Sequence, residues 1–190
     1  MKENEPFEPI IQMQSVNVWM TALFRPSVST YESLLKDPLA GIWRALSWFL
    51  GFSLVNAGIL TLEPIILRGV EVSWDLIILS LFISSSFVGY FMFAIVIIEL
   101  VAQFLGGKGD FTKLFYSFST FSAPLTVLIT AFDLFTSSFF PFFLLPVAYG
   151  FLLGIVACKA VHQFGWSKAF ISLGPIIFGF ACLFGFAAIL

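Results

Sequence analysis

Five stretches of this chain run for roughly a bilayer's depth without a charged side chain: Ala45–Leu62, Leu76–Ile98, Leu114–Phe132, Leu134–Cys158 and Ala169–Leu190. A hydrocarbon core about 30 Å thick needs about 20 helical residues to cross it. The third and fourth stretches together would extend about 67 Å as one helix, so they predict two crossings or a deep hairpin, either of which returns the chain to its starting side. Composition closes off the soluble alternatives. Apolar side chains make up 59% of the 190 residues and charged ones 11%, with a mean hydropathy of +1.02, against roughly 45–50% and 25% in soluble domains. The chain therefore reads as an all-α integral membrane protein with five transmembrane helices in one bundle.

The basic residues are distributed unevenly between the two sides. Lys2, Arg25, Lys36, Arg44, Lys108, Lys113, Lys159 and Lys168 fall on one side of the five spans, and only Arg68 on the other. By the positive-inside rule the N-terminus is cytoplasmic and the C-terminus lies opposite. Residues 1–44 then form a cytoplasmic segment and 45–190 a five-span membrane domain, with spans near 45–62, 76–100, 114–132, 137–158 and 169–190. Glu3, Glu5 and Glu8 occupy the place of a signal peptide's positive region, so the first span is expected to serve as the insertion signal and to remain. The net charge of −2 offers nucleic acid no basic patch.

Local signals add detail. In the N-terminal segment, Ser29 and Glu32 have capping-box spacing, and Val28, Tyr31, Leu34 and Leu35 share one helical face ahead of Asp37-Pro38. This predicts a short amphipathic helix that either lies on the membrane surface or packs on the span ends. Glu63-Pro64 reads as an interfacial turn in the first connection. Pro141 suits a first helical turn, whereas Pro124 and Pro146 are expected to kink their helices.

Polar residues within spans are the candidates for function. Glu99, at the cytoplasmic end of the second span, could hold a proton or cation, pair with Arg44 or Lys159, or simply meet water. Asn56 and the trio Ser84, Ser85 and Ser86 read as helix-packing contacts. The run Gly106-Gly107-Lys108-Gly109-Asp110 lacks the spacing and the preceding strand of a phosphate-binding P-loop. Gly107 to Asp110 also matches the Gly-x-Gly-Asp string of presenilin-type intramembrane proteases. Those enzymes need a second aspartate nearby, and Asp133 falls on the opposite side. A tight turn closing a helical hairpin is the simpler reading. His162 has no hydrolase or metal-ligand partners in the pattern, so no catalytic residue, metal or cofactor is expected. Cys158 and Cys182 differ in depth by about 20 Å, which no disulfide spans, and read as buried thiols.

Several of these segments, in this order, resemble prokaryotic members of the Yip (Ypt-interacting protein) domain family. They are Phe24-Arg25-Pro26 through Tyr31 and Leu34 to Pro38; Phe104 through Phe111 with its glycine turn; Ala123-Pro124; and Lys159-Ala160-Val161-His162 through Trp166, Lys168 and Ala169. The resemblance covers roughly residues 24–175. It implies a five-span protein with a cytoplasmic N-terminus and no catalytic site, in a family whose eukaryotic members act in vesicle trafficking and bind Rab-type GTPases and one another. This chain lacks their Asp-Leu-Tyr-Gly-Pro string before the first span, a departure that argues against small-GTPase binding.

The resulting expectation is a non-enzymatic protein working through protein–protein or protein–lipid contacts, with membrane lipids and a protein partner or self-association in the membrane. Glu99, Gly106, Gly107, Lys108, Gly109, Asp110, Pro124 and His162 are its candidate positions, and Phe139, Phe140, Phe142 and Phe143 offer outer aromatic faces. A prokaryotic plasma membrane is the expected location, with a thylakoid or Golgi-type membrane also compatible. The alternatives are a small transporter or channel subunit using Glu99, and an accessory subunit of a larger membrane complex.

Overall fold

A computed structural model describes residues 15–136 and 140–187, with side chains placed at 15–132 and 145–179. Among the described residues every regular element is a helix: α1 (Ser15–Phe24), α2 (Val28–Leu34), α3 (Ile42–Arg68), α4 (Trp74–Phe104), α5 (Phe111–Thr136), α6 (Phe140–His162) and α7 (Trp166–Ala187). Four of them contain segments long and apolar enough to cross a membrane: Ile42–Arg68, Trp74–Phe104, Phe111–Phe132 and Leu145–His162. The protein is thus an all-helical membrane protein.

The five long helices close a ring. α3 packs between α4 and α5, α5 meets α6, α6 meets α7, and α7 returns to α4. α4 also touches α5 across the centre, while α1 leans on α5 and α2 on α6. Among the residues with described side chains, the ring is packed most tightly toward one end. The buried apolar residues come from the start of α3 (Ala45, Trp48, Phe49), the end of α4 (Ile95, Ile98, Ala102), the start of α5 (Leu114–Tyr116, Phe118), the end of α6 (Leu153, Ala157, Cys158) and the start of α7 (Ala169, Leu173). These are the helix ends gathered around the glycine turn, and aromatic rings fill the space between them. Phe49 lies 4.3 Å from Phe91 and 5.8 Å from Phe115, and Trp48 lies 5.5 Å from Tyr116, between ring centroids. Such offset and tilted pairs add modestly to the area they bury.

Several sequence expectations change in detail. Glu63-Pro64 is no turn: Pro64 lies inside α3, which runs on to Arg68. Gly69, in the left-handed conformation at φ 63°, ends that helix, because glycine alone adopts this geometry without a steric penalty. The cap of α2 is Ser27 rather than Ser29; its hydroxyl accepts from the Thr30 N–H at 3.1 Å. Of the two placements open to this helix, packing on the span ends is the observed one. Tyr31 and Leu34 are fully buried, and Val28 and Leu35 pack on the core. Burial pushes the pKa of Tyr31 well above that of a free phenol.

The sequence reading also missed α1. Val18 and Ala22 of this helix are fully buried, Trp19 sits edge-on to Phe52 at 4.8 Å, and Tyr149 of α6 donates to the Leu23 carbonyl. Pro141 falls in the first turn of α6, and Pro124 and Pro146 lie inside α5 and α6. Residues 1–14 and 139, and the side chains of Asp133, Phe140, Phe142, Phe143 and Cys182, lie outside what is described, whereas Cys158 is fully buried.

The N-terminal segment is fastened to α3 by a buried ion pair. Arg44 Nη1 lies 2.6 Å from Asp37 Oδ2, with the two side chains 13% and 1% exposed. The guanidinium also sits 5.0 Å from the Trp48 ring centroid. Asp37 in addition accepts the Leu39 N–H at 2.9 Å. Removing one partner strands the other charge in a dry site, so Arg44→Leu is expected to lower unfolding stability by about 3 kcal/mol. Thermal unfolding of the purified protein in mild detergent measures this, and an unchanged midpoint would refute it.

Candidate functional site

The polar centre of the molecule forms where the glycine turn meets the end of α6. Glu99 projects from the buried face of α4 that also carries Ile95, Ile98 and Ala102, and it is 4% exposed. Its Oε1 accepts from Gln103 Nε2 at 2.7 Å, one helical turn on. Its Oε2 lies 3.3 Å from Nε2 of His162, a contact that is an ion pair only when the imidazole is protonated and that is off the line of a hydrogen bond. The expected partners are engaged elsewhere. Arg44 pairs with Asp37, and Lys159 donates to the Phe164 carbonyl at 3.2 Å beneath the Trp166 ring. The water-facing placement is also set aside, since α6 and the turn cover the carboxylate.

His162, the last residue of α6, is 1% exposed and stacks on Phe164 at 5.4 Å. Its Nδ1 accepts the Gly109 N–H at 3.2 Å, and its carbonyl accepts the Lys108 N–H at 3.2 Å. A ring nitrogen that accepts carries no proton, so the proton of the neutral imidazole sits on Nε2, facing Glu99. The turn selects the tautomer that presents its positive end to the carboxylate.

The turn earns its shape from its glycines. Gly106 has φ 82°, and its N–H reaches the Gln103 carbonyl at 2.9 Å while that of Gly107 reaches Ala102 at 2.9 Å. This is a Schellman ending to α4. Lys168 Nζ, from α7, takes the Leu105 carbonyl at 2.7 Å. A Cβ on Gly107 would meet His162 Nδ1 at 2.5 Å, and one on Gly109 would meet Val161 Cγ1 at 2.5 Å. Glycine is required at both by the closeness of α6.

Asp110 caps the next helix. Its Oδ1 accepts the Lys113 N–H at 2.9 Å, and its Oδ2 lies 3.1 Å from Lys113 Nζ. Burial alone would raise its pKa, but the Lys113 backbone and ammonium outweigh this and hold the carboxyl below its ordinary 3.8.

The structure thus brings together Glu99, Gly106, Gly107, Lys108, Gly109 and His162, with Asp110 beside them. It does not bring Pro124, which lies about 20 Å further along α5. Gln103 and the pairing of Glu99 with His162 were missed in the sequence. The signals were present: Gln103 follows Glu99 by one helical turn, and the charge bias had already set both Glu99 and His162 at the same side. The serine trio also divides. Ser84 is 2% exposed, whereas Ser85 and Ser86 face outward.

Gly109→Ala is expected to destabilise the protein by ~1–3 kcal/mol through overpacking. Gly89→Ala, where nothing lies within 4 Å of the added Cβ, should be neutral or slightly stabilising. Paired thermal melts in detergent compare them, and equal midpoints would count against a glycine requirement at the turn. For Asp110 the folded pKa is lowered, so its contribution is present above the unfolded pKa and fades as pH falls through the folded one. The midpoint difference between wild type and Asp110→Asn should therefore be constant above the ordinary carboxyl range and shrink below it. A difference independent of pH would contradict this cap.

Compared with known proteins, the chain matches no protein-family model, no curated protein and no solved structure.

Proposed function

We propose that this is a five-span, non-enzymatic membrane protein of Yip type that works through protein–protein or protein–lipid contacts. The observation that carries the reading is the state of the polar centre. The groups best suited to chemistry, Glu99 and His162, are clasped by Gln103 and by the backbone of Gly109 and Lys108. A carboxylate held in this way joins α4, α6 and the turn. What the fold offers to its surroundings is apolar: Phe82, Phe93, Leu54 and Phe178 are among the large side chains it exposes, as expected of surfaces that meet lipid or a partner helix.

The fifth crossing is α7, 22 residues long and about 33 Å in length, which suits one passage of the bilayer. The bias of basic residues supports a cytoplasmic N-terminus and a C-terminus on the far side, in a prokaryotic plasma membrane. The same topology is what the Yip resemblance implies, and that resemblance is carried by the motif order given above.

Glu99 also favours a second reading, a small transporter or channel subunit. Glu99 Oε2 and His162 Nε2 are buried without a hydrogen bond, and an ionisable pair within a bundle is a common element of proton pathways. Two experiments separate the readings. Cross-linking in native membranes followed by purification in mild detergent should recover a defined partner or a self-oligomer; a clean monomer with no cross-link counts against the contact reading. Proton or ion flux in reconstituted vesicles that disappears in Glu99→Gln would establish the transport reading instead.

A further inference from the structure

Away from the glycine turn the ring is not filled. A cavity of about 410 Å³ lies inside it, walled by Asn56 of α3, Ser84 and Phe91 of α4, Thr126 of α5, Gly150 of α6 and Ile176 of α7. Its volume falls within the range of about 300–1,000 Å³ typical of small-molecule sites. Ile83, Phe87 and Tyr90 on its α4 wall are also exposed, so the cavity is open rather than sealed. No charged side chain contributes to the wall among the described residues.

Two polar atoms on this wall have no partner. Asn56 Oδ1 and Ser84 Oγ are buried and make no hydrogen bond, although their residues are only 8% and 2% exposed. They share a smaller recess with Thr126 between α3, α4 and α5. Nearby hydroxyls behave differently. Thr126 and Thr130 bond back to the Ser122 and Thr126 carbonyls at 2.8 and 3.1 Å, and Ser80 bonds to Leu76 at 2.9 Å. Asn56 and Ser84 are thus left with unmet bonding capacity where hydrocarbon offers none.

We propose that the cavity binds an uncharged lipid with one hydroxyl group, of the long-chain or isoprenoid alcohol class. This rests on, and deepens, the protein–lipid half of the proposed function. The carbonyl oxygen of Asn56 needs a donor, and the Ser84 hydroxyl can give a hydrogen to an acceptor. A hydroxyl group does both. Asn56 stands about 21 Å from the start of α3, and Ser84 about 15 Å from the start of α4, so the polar pair lies near mid-membrane. A phosphate or carboxylate headgroup would have to leave water and enter an uncharged wall at that depth. A neutral lipid carries no such penalty, and its chain is matched by the aromatic and aliphatic lining.

The test uses the full chain in phosphatidylcholine vesicles with a diazirine-bearing hexadecanol, and the matching diazirine-bearing palmitate as the charged counterpart. Saturable labelling of α3–α6 peptides by the alcohol is expected, displaced by excess hexadecanol and much stronger than labelling by palmitate. Asn56→Leu should weaken it about tenfold, the effect of one lost buried hydrogen bond, and Ser84→Ala should weaken it in the same direction. Leu50→Ala, on the exposed face of α3 and outside the cavity lining, should leave it unchanged. Monodisperse elution of each variant separates loss of binding from loss of fold.

Labelling that does not saturate, that is equal for palmitate, or that is unaltered in folded Asn56→Leu overturns the site. So does a folded wild type that takes no label, the result expected if water alone occupies the cavity. If labelling fails while cross-linking still recovers a partner, the site alone is lost. Failure of both removes the contact reading as well.

Discussion

A carboxylate among apolar helices must find its donors within the protein, and Glu99 draws much of the architecture to itself in doing so. Gln103 of the same helix donates to it, and the imidazole at the end of α6, itself held by the N–H of Gly109, lies 3.3 Å from its other oxygen without a hydrogen bond. Lys168 then ties α7 to the same turn through the Leu105 carbonyl. These contacts together fasten α4, α6, α7 and the turn to one another at this end. Apolar contact alone is a poor ruler for this, since lipid tails and leucine side chains are nearly equivalent surroundings for a helix in a bilayer.

The division of the bundle into a dense end and a hollow end follows from where the large rings stand. Phe49, Phe91, Phe115 and Phe118 interleave near the clasp. Further along, Asn56, Ser84 and Gly150 stand between the rings of Phe87, Tyr90 and Phe151, and a cavity remains among them. The rigid end can hold the helices in place while the other end keeps open space without collapsing. The N-terminal helices add to the rigid end, where Tyr149 and the Asp37–Arg44 pair hold them.

The helical class, the glycine turn and the apolar face of α2 were legible because each depends on local pattern: charge-free length, left-handed glycine and the spacing of Tyr31 and Leu34. The end of α3 was misjudged because Pro64 ordinarily signals a stop, yet a proline costs less where the helix continues through protein or lipid that leaves it no better option. Ser27 was passed over as a cap because Ser29 had the better spacing to a glutamate. The clasp is harder to see. Glu99 and His162 are 63 residues apart, and only the assembled ring brings them within reach. Asn56 and Ser84 looked like packing residues, since sequence shows a small polar side chain without showing whether anything touches it.

The separation of Glu99 from His162 also bears on how the protein is made. Helices enter the membrane in chain order, so α4 is delivered with its carboxylate before the imidazole that will face it has been synthesised. Until α6 arrives, that carboxylate must be neutral, hydrated near the surface, or sheltered by the insertion machinery. The last steps of biogenesis, rather than the first, would then decide whether the chain becomes a committed bundle or a substrate for quality control.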